Sequence, residues 1–331
     1  MSPSVKVIVV NWNGKRFLPE CLDGLRRQVH GSFTVTLVDN GSSDGSVEFV
    51  RRNYPEVEVM ALSKNLGFAA ANNIALEALN TEYVALLNND AVPHPMWLDA
   101  LTRAMERHPD AGLAASKMVF HHAPDSIDRA GDGFTAAGVA QLRGRSERAE
   151  TYDQEEYVFG ACAGAAMYRT DMLRDIGLFD EDFFLLYEDV DLSFRAQLRG
   201  YRCVFVPDAV VAHKGSSSIV HDSPISVYYS HRNLEWVYLK NMPAALIPGT
   251  VLYHLVYDVG SLFYFVITGR GRDFIRAKRD AMKDMGNTLR KRKRIQSRRR
   301  VESRYIRSLM TRETFLDRLK RRFLHAGPNH G

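Results

Sequence analysis

The chain has 331 residues, 45% of them apolar, with 44 Lys/Arg against 39 Asp/Glu. This composition excludes collagen-like, low-complexity and disulfide-scaffold chains and allows one large domain or two smaller ones. The charge is uneven: Arg270–Gly331 carries 21 Lys/Arg against 6 Asp/Glu, so a basic tail follows an acidic body and calls for an anionic partner, nucleic acid or lipid.

The opening MSPSVKVIVVNWNG enters a strand almost at once. It has neither the basic n-region nor the apolar h-region of a signal peptide. Cys21, Cys162 and Cys203 are widely spaced and form no CxxC, which fits a reducing, cytoplasmic compartment. Val5–Val10 is β-branched and ends at Asn11-Trp12-Asn13-Gly14, followed by a helical pattern through Phe17, Cys21, Leu22 and Leu25. Phe33–Val38 predicts a second strand, ending in the loop Asp39-Asn40-Gly41-Ser42-Ser43-Asp44-Gly45-Ser46. No GxGxxG follows the first strand, which argues against a dinucleotide site. Asp39, at a strand end, suits a pyrimidine N–H or a ribose hydroxyl; an Asx-turn with a helix cap at Ser46 accounts for the same residues.

Val57–Leu62 reads as a third strand, and Asn65 opens a helix with Phe68, Ala71, Ala75 and Leu79 on one face. Tyr83–Leu87 is an apolar run without alternation, as expected of a strand covered on both faces. Asn88, Asn89 and Asp90 follow at once. In open α/β sheets ligands bind beyond the carboxyl ends of strands, where a carboxylate can hold a divalent metal against a diphosphate; a polar turn is the plainer reading. Strands alternating with helices predict βαβ units and an α/β fold.

Pro93–Met105 reads as a helix, Lys117–Gly144 as irregular loops and a hairpin, and Gly160–Arg169 as a strand dense in small residues. Those small residues admit either a ligand or a closely packed neighbour. In Phe179–Arg195, Tyr187, Val190, Phe194 and Leu198 predict an inward helix face, and Glu188, Asp191 and Arg195 an ion-pair ladder. Asp189 sits in the first turn, where an acid also complements the helix dipole. Short β segments at Cys203–Val206 and Ala209–Ala212 lead to His213, which ends a strand as Asp90 does and can complete a metal site.

Together VVNWNG (Val9–Gly14), VDNGSSDGS (Val38–Ser46), NLGFAAANN (Asn65–Asn73), LLNND (Leu86–Asp90), GACAGAAMYR, FDEDFFLLYEDVDLSFR and VAHKGSSS (Val211–Ser218) resemble, in order and spacing, the family 2 inverting glycosyltransferases of the GT-A fold. The nearest subgroup is the rhamnosyltransferase-like enzymes of lipid-linked and cell-surface glycans. The resemblance implies a GT-A catalytic domain over residues 1–241. Its nucleotide-sugar half spans about 1–115 and its acceptor half about 116–241. It implies nucleotide-sugar binding by Asn11, Asp39, Asn65, Asn88 and Asn89, and Mg²⁺ or Mn²⁺ on Asp90 and His213. Glu188-Asp189 match the family's glutamate–aspartate motif, with Asp189 as general base. The donor so implied is dTDP-L-rhamnose first, and the acceptor a polyprenyl-diphosphate-linked or other glycan. The sequence departs from the family at Asn88-Asn89-Asp90, where an amide replaces one carboxylate of the DxD motif, and at Ala69-Ala70-Ala71, where relatives often carry glycines.

Residues 242–331 are expected to form basic helices. Ala244–Thr268 is long and apolar, but His254 and Asp258 interrupt it and Pro248-Gly249 breaks its start. It reads as lying on an anionic membrane, at the inner face of the cell membrane; packing on the catalytic domain or in a homodimer is the alternative. An apolar helix before the basic run favours lipid over nucleic acid. The competing functional class is a degenerate GT-A scaffold acting as a membrane or nucleic-acid binding protein.

Overall fold

The computed structural model describes residues 3–215 and 222–311. Ser216–Ser218 of the His213 stretch and residues 312–331 of the basic tail lie outside them. The chain forms two compact units: Met1–Asp132, Leu142–Val220 and Arg299–Val301 make the first, and Gly133–Gln141, His221–Arg298 and Glu302–Gly331 the second.

In chain order the first half runs β1 (Val5–Asn11), α1 (Leu18–Arg26), β2 (Phe33–Asp39), α2 (Ser46–Asn53), β3 (Glu58–Ala61), α3 (Phe68–Leu76), β4 (Tyr83–Asn88), β5 (Ala91–Pro93), α4 (Trp97–Arg107), β6 (Ala111–Phe120) and β7 (Ala123–Ala130). Then come β8 (Asp132–Thr135), β9 (Ala140–Leu142), β10 (Glu156–Val158), β11 (Ala165–Arg169), α5 (Thr170–Ile176), α6 (Glu188–Arg199) and β12 (Arg202–His213). The first unit is built on one sheet of order β10-β12-β6-β11-β4-β1-β2-β3, with β5 on β12 and β7 on β6. The βαβ alternation yields the parallel run β4-β1-β2-β3, and β11 enters antiparallel between β4 and β6. This is the expected α/β sheet.

Burial on both faces explains the unbroken apolar strands. Val5, Val7 and Val9 pack with Leu18, Leu22, Trp97 and Leu101 of α1 and α4, whereas Ile8, Val84 and Leu86 pack with Ala69, Ala71 and Ala75 of α3. Because β1, β2 and β4 are parallel, Asn11, Asp39 and Asn88 emerge at one end of the sheet.

Several boundaries differ from the sequence reading. Lys117–Gly144 contains real strands: β6 runs to Phe120, and β7, β8 and β9 follow. Arg202–His213 is one strand, with an irregularity between Val206 and Val210 at Pro207-Asp208 in place of a break. Asn65 stays in a loop, and α3 starts at Phe68 after Gly67. Gly67 needs its hydrogen: its φ is +88°, and a Cβ would sit 2.5 Å from Phe184. α2 starts at Ser46 with Gly45, not Ser46, at its cap position, and the Ser46 N–H bonds to Asp44 Oδ1 at 3.1 Å. The strand expected over Gly160–Arg169 covers only its second half, Ala165–Arg169.

The second unit comprises α7 (Pro224–Asn241), α8 (Ile247–Ile267), α9 (Gly271–Lys283), α10 (Met285–Ser297), α11 (Ser303–Leu309) and the two-residue β13 (Met310–Thr311), which pairs with β8 beside β9. Val227, Phe265 and Phe274 form its apolar centre. Along α8, His254, Ser261 and Phe265 are buried, while Leu252, Val256, Val259 and Phe263 are exposed on the opposite side. Lys278 of α9 reaches Asp258 Oδ1 at 2.6 Å and also pairs with Glu235 of α7, and His254 Nε2 lies 3.1 Å from Glu235. The helix therefore turns its polar groups inward and its apolar stripe outward.

Candidate active site

At the carboxyl ends of β1 and β2, Asn11 is fully buried and every polar atom of its amide is engaged. Its Nδ2 donates to Asp39 Oδ2 at 2.9 Å and to Ser42 Oγ at 3.2 Å, and its Oδ1 accepts from Asn89 Nδ2 at 2.8 Å. Asn11 thus ties Asp39 to Asn89. Asp39 Oδ1 accepts from the Ser42 N–H at 2.9 Å, the anticipated Asx-turn. Asn65 Oδ1 accepts from Asn40 Nδ2 at 3.0 Å and from the Gly67 N–H at 2.8 Å, while Asn40 Oδ1 accepts from the Leu66 N–H at 2.8 Å. Asn40, buried and unremarked in the sequence, fastens the Asn65 loop to β2.

Antiparallel pairing of β5 with β12 sets His213 opposite Ala91, next to Asp90. The Lys214 N–H bonds to the Asp90 carbonyl at 3.0 Å. His213 Nε2 then lies 3.3 Å from Asp90 Oδ1, and Nδ1 lies 2.7 Å from Asp128 Oδ2. Burial pushes the imidazole pKa down, but the flanking carboxylates Asp128 and Asp90 outweigh it and raise it to about 9, so a cation binding at Nε2 would displace a proton from it. A small octahedral cation with ligands at about 2.1 Å places adjacent donors about 3 Å apart. The separation of this nitrogen and oxygen, and their O/N character, fit Mg²⁺ or Mn²⁺.

The carboxylate pair opens α6. The turn before it is strained: Phe184, Leu186 and Tyr187 have φ of 61°, 66° and 69°. Bulky residues in the left-handed region cost about 1–3 kcal/mol each, and such strain gathers at functional sites. It also removes Tyr187 from the expected inward face, since Tyr187 precedes the helix as its cap residue. Asp189 Oδ1 accepts from the Val190 N–H at 2.8 Å and Oδ2 from the Ala163 N–H at 3.2 Å. Glu188 is buried, and its Oε2 has no hydrogen-bond partner among the described residues. Desolvation, then the Asp189 charge, pushes its pKa up to about 8. The ladder expected from Glu188 is therefore shorter: Asp191 Oδ2 accepts from Arg195 Nε at 2.8 Å without it.

The small residues of Gly160–Gly164 serve close packing. A Cβ on Gly160 would meet Ser193 at 2.6 Å, and one on Gly164 would meet Asn88 Nδ2 at 2.9 Å. The same turn thus touches Asn88 on one side and, through the Ala163 N–H, Asp189 on the other.

Sequence reasoning missed three charged residues here. Asp128, Arg129 and Asp132 fall in the stretch read as loop, yet Asp128 and Asp132 are almost fully buried. Arg129 Nη1 lies 3.2 Å from Asp132 Oδ1, and Asp132 Oδ2 has no partner among the described residues. Burial raises the Asp132 pKa to about 7; Arg129 pulls it down and Asp189 pushes it up. The surrounding Ala-Pro-Asp-Ser-Ile-Asp-Arg-Ala is turn-like in composition and offered no local signal for these three residues.

Among solved structures, S. aureus TarS 1–349 in complex with UDP-GlcNAc superposes with a TM-score of 0.58 at 20% identity, over 85% of this chain and 81% of that one. The mannosyltransferase PcManGT from Pyrobaculum calidifontis in complex with GDP-Man and Mn²⁺ gives 0.53 at 19% identity, over 86% and 88%. The fold is that of the GT-A glycosyltransferases. The sequence pattern of glycosyl transferase family 2 matches residues 6–177, and the chain belongs to that family. It is also 27% identical, over 266 residues, to the N-acetylglucosaminyl-diphospho-decaprenol L-rhamnosyltransferase of Mycobacterium tuberculosis, covering 73% of this chain and 85% of that one.

Proposed function

We propose that this glycosyltransferase moves L-rhamnose from dTDP-L-rhamnose, with inversion, to a hydroxyl of a polyprenyl-diphosphate-linked glycan. Similarity to the mycobacterial L-rhamnosyltransferase along most of both chains supports this donor and acceptor. Asp39, Asn65, Asn88 and Asn89 bind the nucleotide sugar, with Asn11 buttressing Asp39 and Asn89. Asp90 and His213 hold Mg²⁺ or Mn²⁺, which when bound neutralises charge growing on the leaving diphosphate.

Asp189 is the general base. The observation that carries this is the contrast within the pair: Glu188 is buried with its Oε2 unpartnered among the described residues, which favours its protonated form, whereas Asp189 is anchored through two backbone N–H groups. Those donors orient the carboxylate and leave lone pairs for the acceptor hydroxyl. The reaction forms a bond from that hydroxyl oxygen to the anomeric carbon and breaks the bond to the nucleoside diphosphate. The hydroxyl proton passes to Asp189.

The second unit lies on the inner, anionic face of the cell membrane. The exposed stripe Leu252, Val256, Val259 and Phe263, with the basic residues of α9 and α10 after it, supports this. Ala244–Ile267 is long and apolar enough to cross a bilayer by length and composition. The ion pairs of His254 and Asp258 with α7 and α9 favour a helix lying in the interface. A thermal-shift screen of nucleotide sugars with Mn²⁺ tests the donor: dTDP-L-rhamnose should raise the melting temperature most. A larger shift with a UDP- or GDP-sugar overturns the assignment.

A further inference from the structure

Asp128 is 85 residues from His213 in sequence, yet its carboxylate forms the closest polar contact of that imidazole, at 2.7 Å. The reason is a β-bulge. Along β6, Met118 faces Arg129 of β7 but Val119 faces Ile127, so Asp128 is the extra residue on its strand. A bulge re-aims the side chain it carries. Asp128 is thereby turned inward and buried to 3% exposure, in a strand whose ordinary alternation does not provide for it. Its other oxygen, Oδ1, accepts from Arg145 Nη1 at 2.5 Å, so both oxygens have fixed partners. An ionised carboxylate only accepts, which makes His213 Nδ1 a donor. The second ring nitrogen, Nε2, is the one that faces Asp90 at 3.3 Å.

We propose that Asp128 is a positioning residue for the metal centre: from its bulge in β7 it holds the Nδ1–H of His213, fixing the tautomer and ring plane that present the Nε2 lone pair to a cation shared with Asp90. Hydrogen-bonded partners of this kind orient ligating imidazoles and raise their basicity as ligands. Arg145 in turn fixes Asp128, so the chain of contacts runs Arg145, Asp128, His213, Asp90. The proposal rests on the reading of Asp90 and His213 as metal ligands.

The test is Mn²⁺ binding to the full chain, alone and with dTDP, followed by electron paramagnetic resonance, alongside the metal-free melting temperature. Asp128→Ala should weaken Mn²⁺ toward the upper end of about 10–100-fold, and Asp128→Asn, which keeps an acceptor oxygen, toward the lower end. In a His213→Ala background Asp128→Ala should change Mn²⁺ affinity by less than about twofold, because the pair acts as one unit. Should Asp128→Ala not fold, the Asn variant carries the test. If Asp90→Ala and His213→Ala lose Mn²⁺ while both Asp128 variants keep it, the metal reading stands and the positioning role is overturned, whatever the melting temperatures do. An equal loss from Asp128→Ala in the His213→Ala background also overturns it, since Asp128 then acts elsewhere. If Asp90→Ala and His213→Ala themselves bind Mn²⁺ normally, the metal reading fails and the proposal falls with it.

Discussion

Replacing Asp189 by Asn should lower sugar transfer by about 10²–10⁴-fold, the range lost when a positioned general base is removed. That corresponds to about 3–5 kcal/mol of barrier. Asn is nearly isosteric, but its amide cannot take the acceptor proton. The carboxylate now accepts from Val190 N–H at 2.8 Å and Ala163 N–H at 3.2 Å. Asn has one acceptor oxygen, so one of these donors loses its partner, at about 1–3 kcal/mol of stability. A lower melting temperature is therefore expected, and rates must be taken well below it. The nucleotide end is tied together through Asn11, Asp39 and Asn89, whose hydrogen bonds do not include Asp189. Donor affinity should thus stay within a few-fold. Transfer rate and donor dissociation constant are measured for Asp189→Asn and for Glu188→Gln, which should cost less. Near-normal transfer by Asp189→Asn with Glu188→Gln inactive would move the base to Glu188. Loss of donor binding in Asp189→Asn would make Asp189 structural.

Asp90→Ala should abolish Mn²⁺-dependent donor binding, because Asp90 is the one carboxylate of the Asn88-Asn89-Asp90 turn; unchanged calorimetric affinity with Mn²⁺ refutes this. Glu188 keeps its proton in the fold up to about 8 but releases it near 4.5 when unfolded, so its contribution to stability is lost as pH rises through that window. Glu188→Gln should therefore flatten the fall in melting temperature between pH 5 and 8, and an unchanged slope contradicts the assignment. Asp191→Ala leaves the buried Arg195 guanidinium without its carboxylate and should cost about 3–5 kcal/mol in denaturant unfolding, against less than about 1 if the pair behaves as an exposed one. Leu252→Asp, Val256→Asp and Phe263→Asp together should abolish co-sedimentation with anionic liposomes while leaving the melting temperature close to the parent's, since all three side chains are exposed; retained co-sedimentation sinks the membrane reading.

The parallel strands were legible because burial on both faces demands unbroken apolar runs, and Val5–Val10 and Tyr83–Leu87 meet that demand with few residues of other kinds. The strand β7 was not legible: Ala-Pro-Asp-Ser-Ile-Asp-Arg-Ala has the composition of a turn. Its charges are stabilised by partners distant in sequence, His213 and Arg145 for Asp128, which no local pattern announces. Asn11 shows a different limit. Its position at a strand end was readable, but the engagement of its whole amide with Asp39, Ser42 and Asn89 depends on the parallel register of β1 with β2 and β4. Tyr187 fitted the helical spacing and still fell outside the helix, because spacing carries no information on the left-handed turn that precedes Glu188.

The most direct test of an inverting transferase with Asp189 as its base is the anomeric configuration of the product. The full chain is incubated with Mn²⁺, dTDP-L-rhamnose and a polyprenyl-diphosphate-linked saccharide, and the new linkage is read by NMR. A glycoside of configuration opposite to the donor, formed by the parent and almost absent with Asp189→Asn, is the expected result. A product that retains the donor configuration, or one formed equally by Asp189→Asn, contradicts direct displacement assisted by that carboxylate.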